Sequence, residues 1–139
     1  MTPNRAPRMA VVGVGHFGRH HARVLSELDQ AELTAVVDID GDRAAEVAAE
    51  CGTRAFDTVE ALAGQVDAVT LAVPTEVHCS VALPLLAQGV SVLVEKPMAR
   101  SLTEADAMLE AAASGGALLA VGHTERFNPA VAAALPLVR

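Results

Sequence analysis

The run Gly13-Val14-Gly15-His16-Phe17-Gly18 follows the apolar stretch Met9-Ala10-Val11-Val12, and an aspartate, Asp38, stands 20 residues beyond the last of these glycines. Residues of these types at this spacing suit a dinucleotide. Gly13 permits a tight turn, Gly15 lets the backbone approach a diphosphate, and Gly18 lets the following helix pack close to the strand. The helix opens at His16 and Phe17 and turns unpaired N–H groups, with their partial positive charge, toward the phosphates. Asp38 closes the next apolar run, where a carboxylate accepts hydrogen bonds from ribose hydroxyls. Its charge, with Asp40 and Asp42, repels a 2′-phosphate, so NAD is expected ahead of NADP. Arg43 is the only nearby cation and reads as a solvated helix residue. S-adenosylmethionine-dependent methyltransferases also place an acidic residue after a glycine loop, so this motif alone leaves that class open.

Three more groups fall at the ends of apolar runs, where open α/β sheets bind ligands. The first is Val73-Pro74-Thr75 with His78. Val73, Pro74 and Thr75 lie where a nicotinamide ribose would sit. Thr75 equally serves as a helix N-cap, and His78 equally as a first-turn surface residue. The second is Glu95-Lys96-Pro97. Lys96 is the single lysine beside nine arginines, and a desolvated lysine can release its proton where arginine cannot. Lys96 is therefore the candidate catalytic residue, positioning a substrate hydroxyl and helping its proton depart as hydride leaves. The peptide bond before Pro97 is expected trans on base rates, with cis as the alternative. The third is Gly122-His123-Thr124-Glu125-Arg126-Phe127-Asn128-Pro129. Here His123 meets the crevice, Arg126 and Asn128 face the cofactor or a second domain, and the plainer reading makes Phe127 a core residue. His16, His20 and His21 suggest a metal cluster, but they divide between the loop and different helical faces. No metal site is expected, and His21 reads as an inward, hydrogen-bonded histidine.

The elements that must position these groups alternate strand and helix. Strands are expected near Arg8–Val14, Leu33–Asp38, Thr53–Ala55, Ala68–Val73, Ser91–Val94 and Ala117–Val121. Helices are expected over Phe17–Leu28, Gly41–Ala49, Thr58–Ala63, Val77–Gln88 and Thr103–Ala113, with Ser101 or Thr103 as the last N-cap and Pro84 disturbing the fourth. Near-continuous apolar strands separated by helices predict an α/β fold, a doubly wound (Rossmann) parallel sheet in a single domain, ordered 3-2-1-4-5-6. Residues 1–8 read as a disordered or extended tail, 9–128 as the dinucleotide-binding domain, and 129–139 as the start of a terminal helix.

Composition narrows the class. The chain has 139 residues, 52% of them hydrophobic, which fills one core. A formal net charge of -7 argues against nucleic acid. No apolar run approaches the ~18 residues of a membrane span. Cys51 and Cys79 lack metal or redox spacing, so a reduced, cytoplasmic protein is expected.

Taken together, these motifs resemble the Gfo/Idh/MocA family of NAD(P)-dependent oxidoreductases. The residues that carry the resemblance are Gly13, Gly15 and Gly18 with His21, then Asp38, Pro74-Thr75 with His78, Glu95-Lys96-Pro97, and Gly122-His123 with Arg126-Phe127-Asn128-Pro129. The closing motif is similar to that of members that oxidise sugar nucleotides, UDP-N-acetylhexosamine 3-dehydrogenases among them. The resemblance implies hydride transfer between nicotinamide and a carbinol of a sugar, sugar nucleotide or polyol, with Lys96 on the hydroxyl and Glu95 near the nicotinamide ribose. It also implies a second α/β domain, more than doubling the chain, that is absent here. The expected partners are thus a sugar-like small molecule, and either a second copy of the chain or a companion chain bringing the missing domain. The rival expectation is a stand-alone dinucleotide-binding module, a sensor or partner subunit without catalysis.

Overall fold

The computed structural model describes residues 5–138. The glycine-bearing segment begins as strand β1 (Arg8–Val12), the centre of a six-stranded sheet ordered β3-β2-β1-β4-β5-β6. The other strands are β2 (Glu32–Val37), β3 (Arg54–Phe56), β4 (Ala68–Leu71), β5 (Ser91–Val94) and β6 (Leu119–Val121), and every pairing is parallel. The helices are α1 (His16–Glu27), α2 (Gly41–Cys51), α3 (Thr75–Ala87), α4 (Leu102–Gly115) and α5 (Pro129–Ala134). The expected fold and strand order hold. The segment Thr58–Ala63 forms a 3-10 turn, Val59–Leu62, and not an α-helix. Its tight spacing suits the few residues between Phe56 and the buried Leu62 and Val66.

Strand alternation divides the core in two. Ala10, Val12, Ala35, Val37, Val69, Leu71, Val92 and Val94 face Leu85 and Leu86 of α3 and Met108 of α4. Val11 and Val36 face Ala22 and Leu25 of α1 and Val47 of α2. The first layer runs across the sheet, whereas the second covers mainly β1 and β2. On the uncovered half, Leu93 of β5 and Ala120 of β6 are exposed.

Caps follow local chemistry. Asp40 accepts from Arg43 N and Ser101 from Glu104 N, so each satisfies a helix donor. Gly52 and Gly116 close their helices at positive φ. Thr75 does not cap α3. Pro74 holds that position, because its fixed φ suits a residue just before the first turn. The helix continues through Pro84 to Ala87.

The tail expected over residues 1–8 is tied down from Arg5 onward, while 1–4 lie outside the described residues. Arg8 Nη2 lies 2.8 Å from Asp67 Oδ1 and Arg5 Nη2 lies 2.9 Å from Asp67 Oδ2. The hydrogen bonds from Arg8 hold the Asp67 carboxyl far below the usual carboxylate range. A depressed carboxyl stabilises the folded chain above its unfolded pKa, and that contribution fades as pH falls through the folded value. Stability is therefore expected to be level from neutral pH to about 5 and to drop below about 4. Urea melts should show a shallower acid drop for Asp67→Asn, and an unchanged slope would remove Asp67 from the account.

Candidate functional site

The loop between β1 and α1 is built from three glycines with separate tasks. Gly13 has φ +83, and a Cβ there would lie 2.7 Å from Val73 Cγ1 and 2.9 Å from the Ala72 carbonyl. Its N–H donates to Val37 O at 2.8 Å, which ties the turn to β2. Gly15 is the N-cap of α1, with no side-chain cap, and nothing would lie within 4 Å of a Cβ on it. The first N–H groups of α1 thus face open space without a protein acceptor, the arrangement that receives an anion. Gly18 is buried, and a Cβ there would stand 1.7 Å from Gly13 O. It serves close packing of helix on turn and does not face the ligand space.

Beside this loop is a hollow of about 810 Å³, ample for a nucleotide. It opens where the chain leaves β1 for one side of the sheet and β4 for the other, the point at which such sheets bind ligands. Gly13, Gly15, His16, Phe17, Asp38, Val73 and Pro74 of the expected site all line it. So do residues that the sequence reading missed: Ile39, Asp57 and Thr58 just past β2 and β3, Arg43 of α2, Glu60 of the 3-10 turn, and Val77, Ser80, Val81 and Pro84 of α3. The strand-end rule, applied to short β3, would have pointed to Asp57 and Thr58. The α3 residues carry no sequence signal, because they line the hollow only through the packing of α3 over β4.

Asp38 is 6% exposed and fully engaged. Its Oδ2 accepts from Val14 N at 2.8 Å and Arg43 Nε at 3.1 Å; its Oδ1 accepts from Asp40 N at 3.0 Å and Arg43 Nη2 at 2.7 Å. Burial pushes this carboxyl up, but the Arg43 guanidinium and the two backbone donors outweigh it and hold the group below its ordinary range. Arg43 is therefore not a solvated helix residue; its planar fork fits the carboxylate edge one turn into α2. The backbone donors are fixed by the fold, whereas the guanidinium sits on a long side chain that is 39% exposed.

The rest of the expected site lies along the same sheet edge, outside the hollow. Thr75 is half-buried at the start of α3. His78 is 1% exposed and is neither a surface residue nor a lining residue. Its Nε2 lies 2.9 Å from Val73 O and its Nδ1 3.0 Å from Pro97 O, so it braces the loop after β4 against the loop after β5. The helical pattern could not reveal this, because both partners are distant carbonyls. The Lys96–Pro97 peptide is cis, against the trans expectation. Lys96 is exposed, and Glu95 turns away from it: Oε1 lies 3.2 Å from His21 Nε2, and Oε2 accepts from the Lys96 backbone N–H at 3.2 Å. His21 is thus inward-facing as expected. Arg126 is exposed on a 3-10 turn, Thr124–Phe127, and does not reach the hollow. Phe127 is 87% exposed and is not a core residue, because α5 does not fold back on the sheet. Among the described residues no group of histidine, cysteine and acidic side chains could hold a metal ion. Nor is any described helix long and apolar enough to cross a membrane.

Residues 7–123 match the model of the oxidoreductase family with an NAD-binding Rossmann fold, Gfo/Idh/MocA. The chain belongs to that family. A Gfo/Idh/MocA relative, the UDP-N-acetylglucosamine 3-dehydrogenase of Acidithiobacillus ferrooxidans, is 44% identical over 124 residues, covering 89% of this chain and 39% of its own. A solved structure of that enzyme superposes with TM-score 0.86 at 41% identity, covering 94% of this chain and 43% of the other. The scyllo-inositol 2-dehydrogenase (NAD(+)) of Bacillus subtilis is 35% identical over 129 residues, covering 90% of this chain and 38% of its own. The structure of GenD2 from gentamicin A biosynthesis, in complex with NAD, superposes with TM-score 0.90 at 35% identity, covering 96% of this chain and 39% of the other. The methyltransferase reading falls with these matches, and NAD is the cofactor of the Gfo/Idh/MocA fold described here. The chain spans about two-fifths of the length of the curated relatives it matches.

Proposed function

We propose that this chain is the NAD-binding part of a dehydrogenase that moves hydride between nicotinamide and a secondary hydroxyl of a sugar, sugar nucleotide or polyol. The single observation that carries the reading is the uncapped opening of α1 beside Asp38, on the same sheet edge as Lys96. The diphosphate rests on the α1 N–H groups over Gly13 and Gly15, and Asp38 takes the adenosine ribose after Arg43 yields. Val73, Pro74 and Thr75 then flank the path toward Glu95, Lys96 and Pro97.

Nicotinamide, when bound, supplies the hydride acceptor. Lys96 hydrogen-bonds the substrate hydroxyl and carries its proton as the carbinol hydrogen departs. The substrate class is supported by relatives named for UDP-N-acetylglucosamine and for inositols, all ring compounds bearing adjacent hydroxyls. The remaining pocket wall comes from a second domain, in a longer form of the protein or in a partner chain. The exposed Phe127, Leu137 and Val138 give such a wall an apolar surface to cover.

The chain contains no tryptophan or tyrosine, so NADH fluorescence is readable with little protein background. Titration should show saturable NADH binding, with weaker NADPH binding and none of S-adenosylmethionine. Absence of NADH binding would end this reading. In the complete enzyme, Lys96→Arg should lower turnover by ~10²-fold or more with cofactor affinity nearly intact. Retained turnover would make Lys96 an ordinary surface cation.

A further inference from the structure

His21 and Glu95 meet outside the hollow that the glycine loop and Asp38 line. Three elements nevertheless converge on that one carboxylate. His21 projects from α1 with its side chain 25% exposed, and its Nε2 meets Glu95 Oε1 at 3.2 Å. Glu95 is 17% exposed at the end of β5, and its other oxygen accepts from Lys96 N. Gly122, just past β6, presses on the same group: a Cβ there would lie 3.3 Å from Glu95 Oε1 and 3.4 Å from its carboxyl carbon. A carboxylate confined from three sides cannot act as a free surface charge. It fixes the backbone that presents Lys96.

We propose that His21 is a positioning residue. It holds Glu95, and through Glu95 the corner Glu95–Pro97, in register with the helix whose N-terminus receives the diphosphate. His21 lies a little over one turn along α1 from the uncapped end. A ligand seated on that end is thus referred to Lys96 through one rigid helix and one side-chain contact, and not through the loops after β4. On the opposite side His78 braces the carbonyls of Pro97 and Met98. The corner is therefore held from both faces of the sheet, with His21 on the face that carries the cofactor helix. This inference rests on the dinucleotide reading above and adds the residue that aligns the nicotinamide end.

The test compares NADH with ADP-ribose, which keeps the adenosine and both phosphates but lacks nicotinamide. In this chain His21→Ala should weaken NADH by about tenfold and leave ADP-ribose within about twofold, since one side-chain contact is lost at one end of the site. His21→Gln, which restores an N–H donor toward Glu95, should recover most of the NADH affinity. Gly122→Ala, which crowds Glu95 from β6, should reproduce the His21→Ala pattern and keeps the test decisive if His21→Ala fails to fold. Equal loss of both ligands would make His21 a plain structural residue of α1 and overturn the proposal. So would unchanged NADH affinity, or no recovery with glutamine. If the unaltered chain bound neither ligand, the dinucleotide reading itself would fall, and the proposal with it.

Discussion

Replacing Gly18 by alanine is expected to destabilise the chain by ~3 kcal/mol or more and to abolish NADH binding. The added methyl would sit 1.7 Å from Gly13 O, and the atom it meets is backbone, not the end of a flexible side chain. Relief requires α1 to move away from β1. That shift breaks the packing of Ala22 and Leu25 on Val11 and Val14, and it also displaces the N–H groups proposed to receive the diphosphate. Stability and binding should therefore fall together. Urea melts and an NADH titration of the same sample check this. A variant with native stability and native affinity would show that the close approach of helix and turn is not required. Alanine at Gly15, where nothing lies within 4 Å, is the informative contrast. It should leave stability nearly unchanged and affect only the ligand.

Asp38→Ala is expected to act on both quantities for a different reason. The carboxylate receives Val14 N, Asp40 N and the Arg43 fork, so it organises the protein before any ligand arrives. Truncation strands the Val14 N–H in a buried place, at a cost of ~1–3 kcal/mol of stability. It also removes the acceptor proposed for the ribose, which should weaken NADH by ~1–3 kcal/mol, roughly 5- to 150-fold. Asp38→Asn separates the two effects in part. Its amide oxygen can still accept from Val14, but its NH2 then faces the Asp40 N–H and the Arg43 fork, which are also donors. Melts with a partial loss of stability and a titration with clearly weakened NADH are the expected pair. Unchanged NADH affinity in both variants would remove Asp38 from the site.

Much of the fold was legible because parallel strands covered on both faces must be apolar along their length. Val11-Val12, Ala35-Val36-Val37 and Val92-Leu93-Val94 declare themselves as such. The glycine spacing was legible because only glycine satisfies a positive φ at Gly13 and a missing Cβ at Gly18. Lys96 stood out by composition and by its place after a strand. What stayed hidden shares one character. His78 read equally as a cofactor contact and as a surface residue, yet its partners are carbonyls on loops 5 and 19 residues away. Arg43 looked solvated, although its fork closes on a carboxylate across the start of α2. Phe127 looked like core by residue type, but it is 87% exposed among the described residues.

The one-dimensional chain therefore determined the parallel α/β sheet, its strand order, the dinucleotide loop and the acidic residue beside it. These depend on apolar periodicity and on steric demands that single residues state by themselves. The tertiary structure alone decided which polar groups meet: Asp38 with Arg43, Glu95 with His21, and the Pro97 carbonyl with His78. Such pairings depend on which side chains converge across strands and helices, and a directional contact of about 3 Å leaves no periodic trace in a sequence.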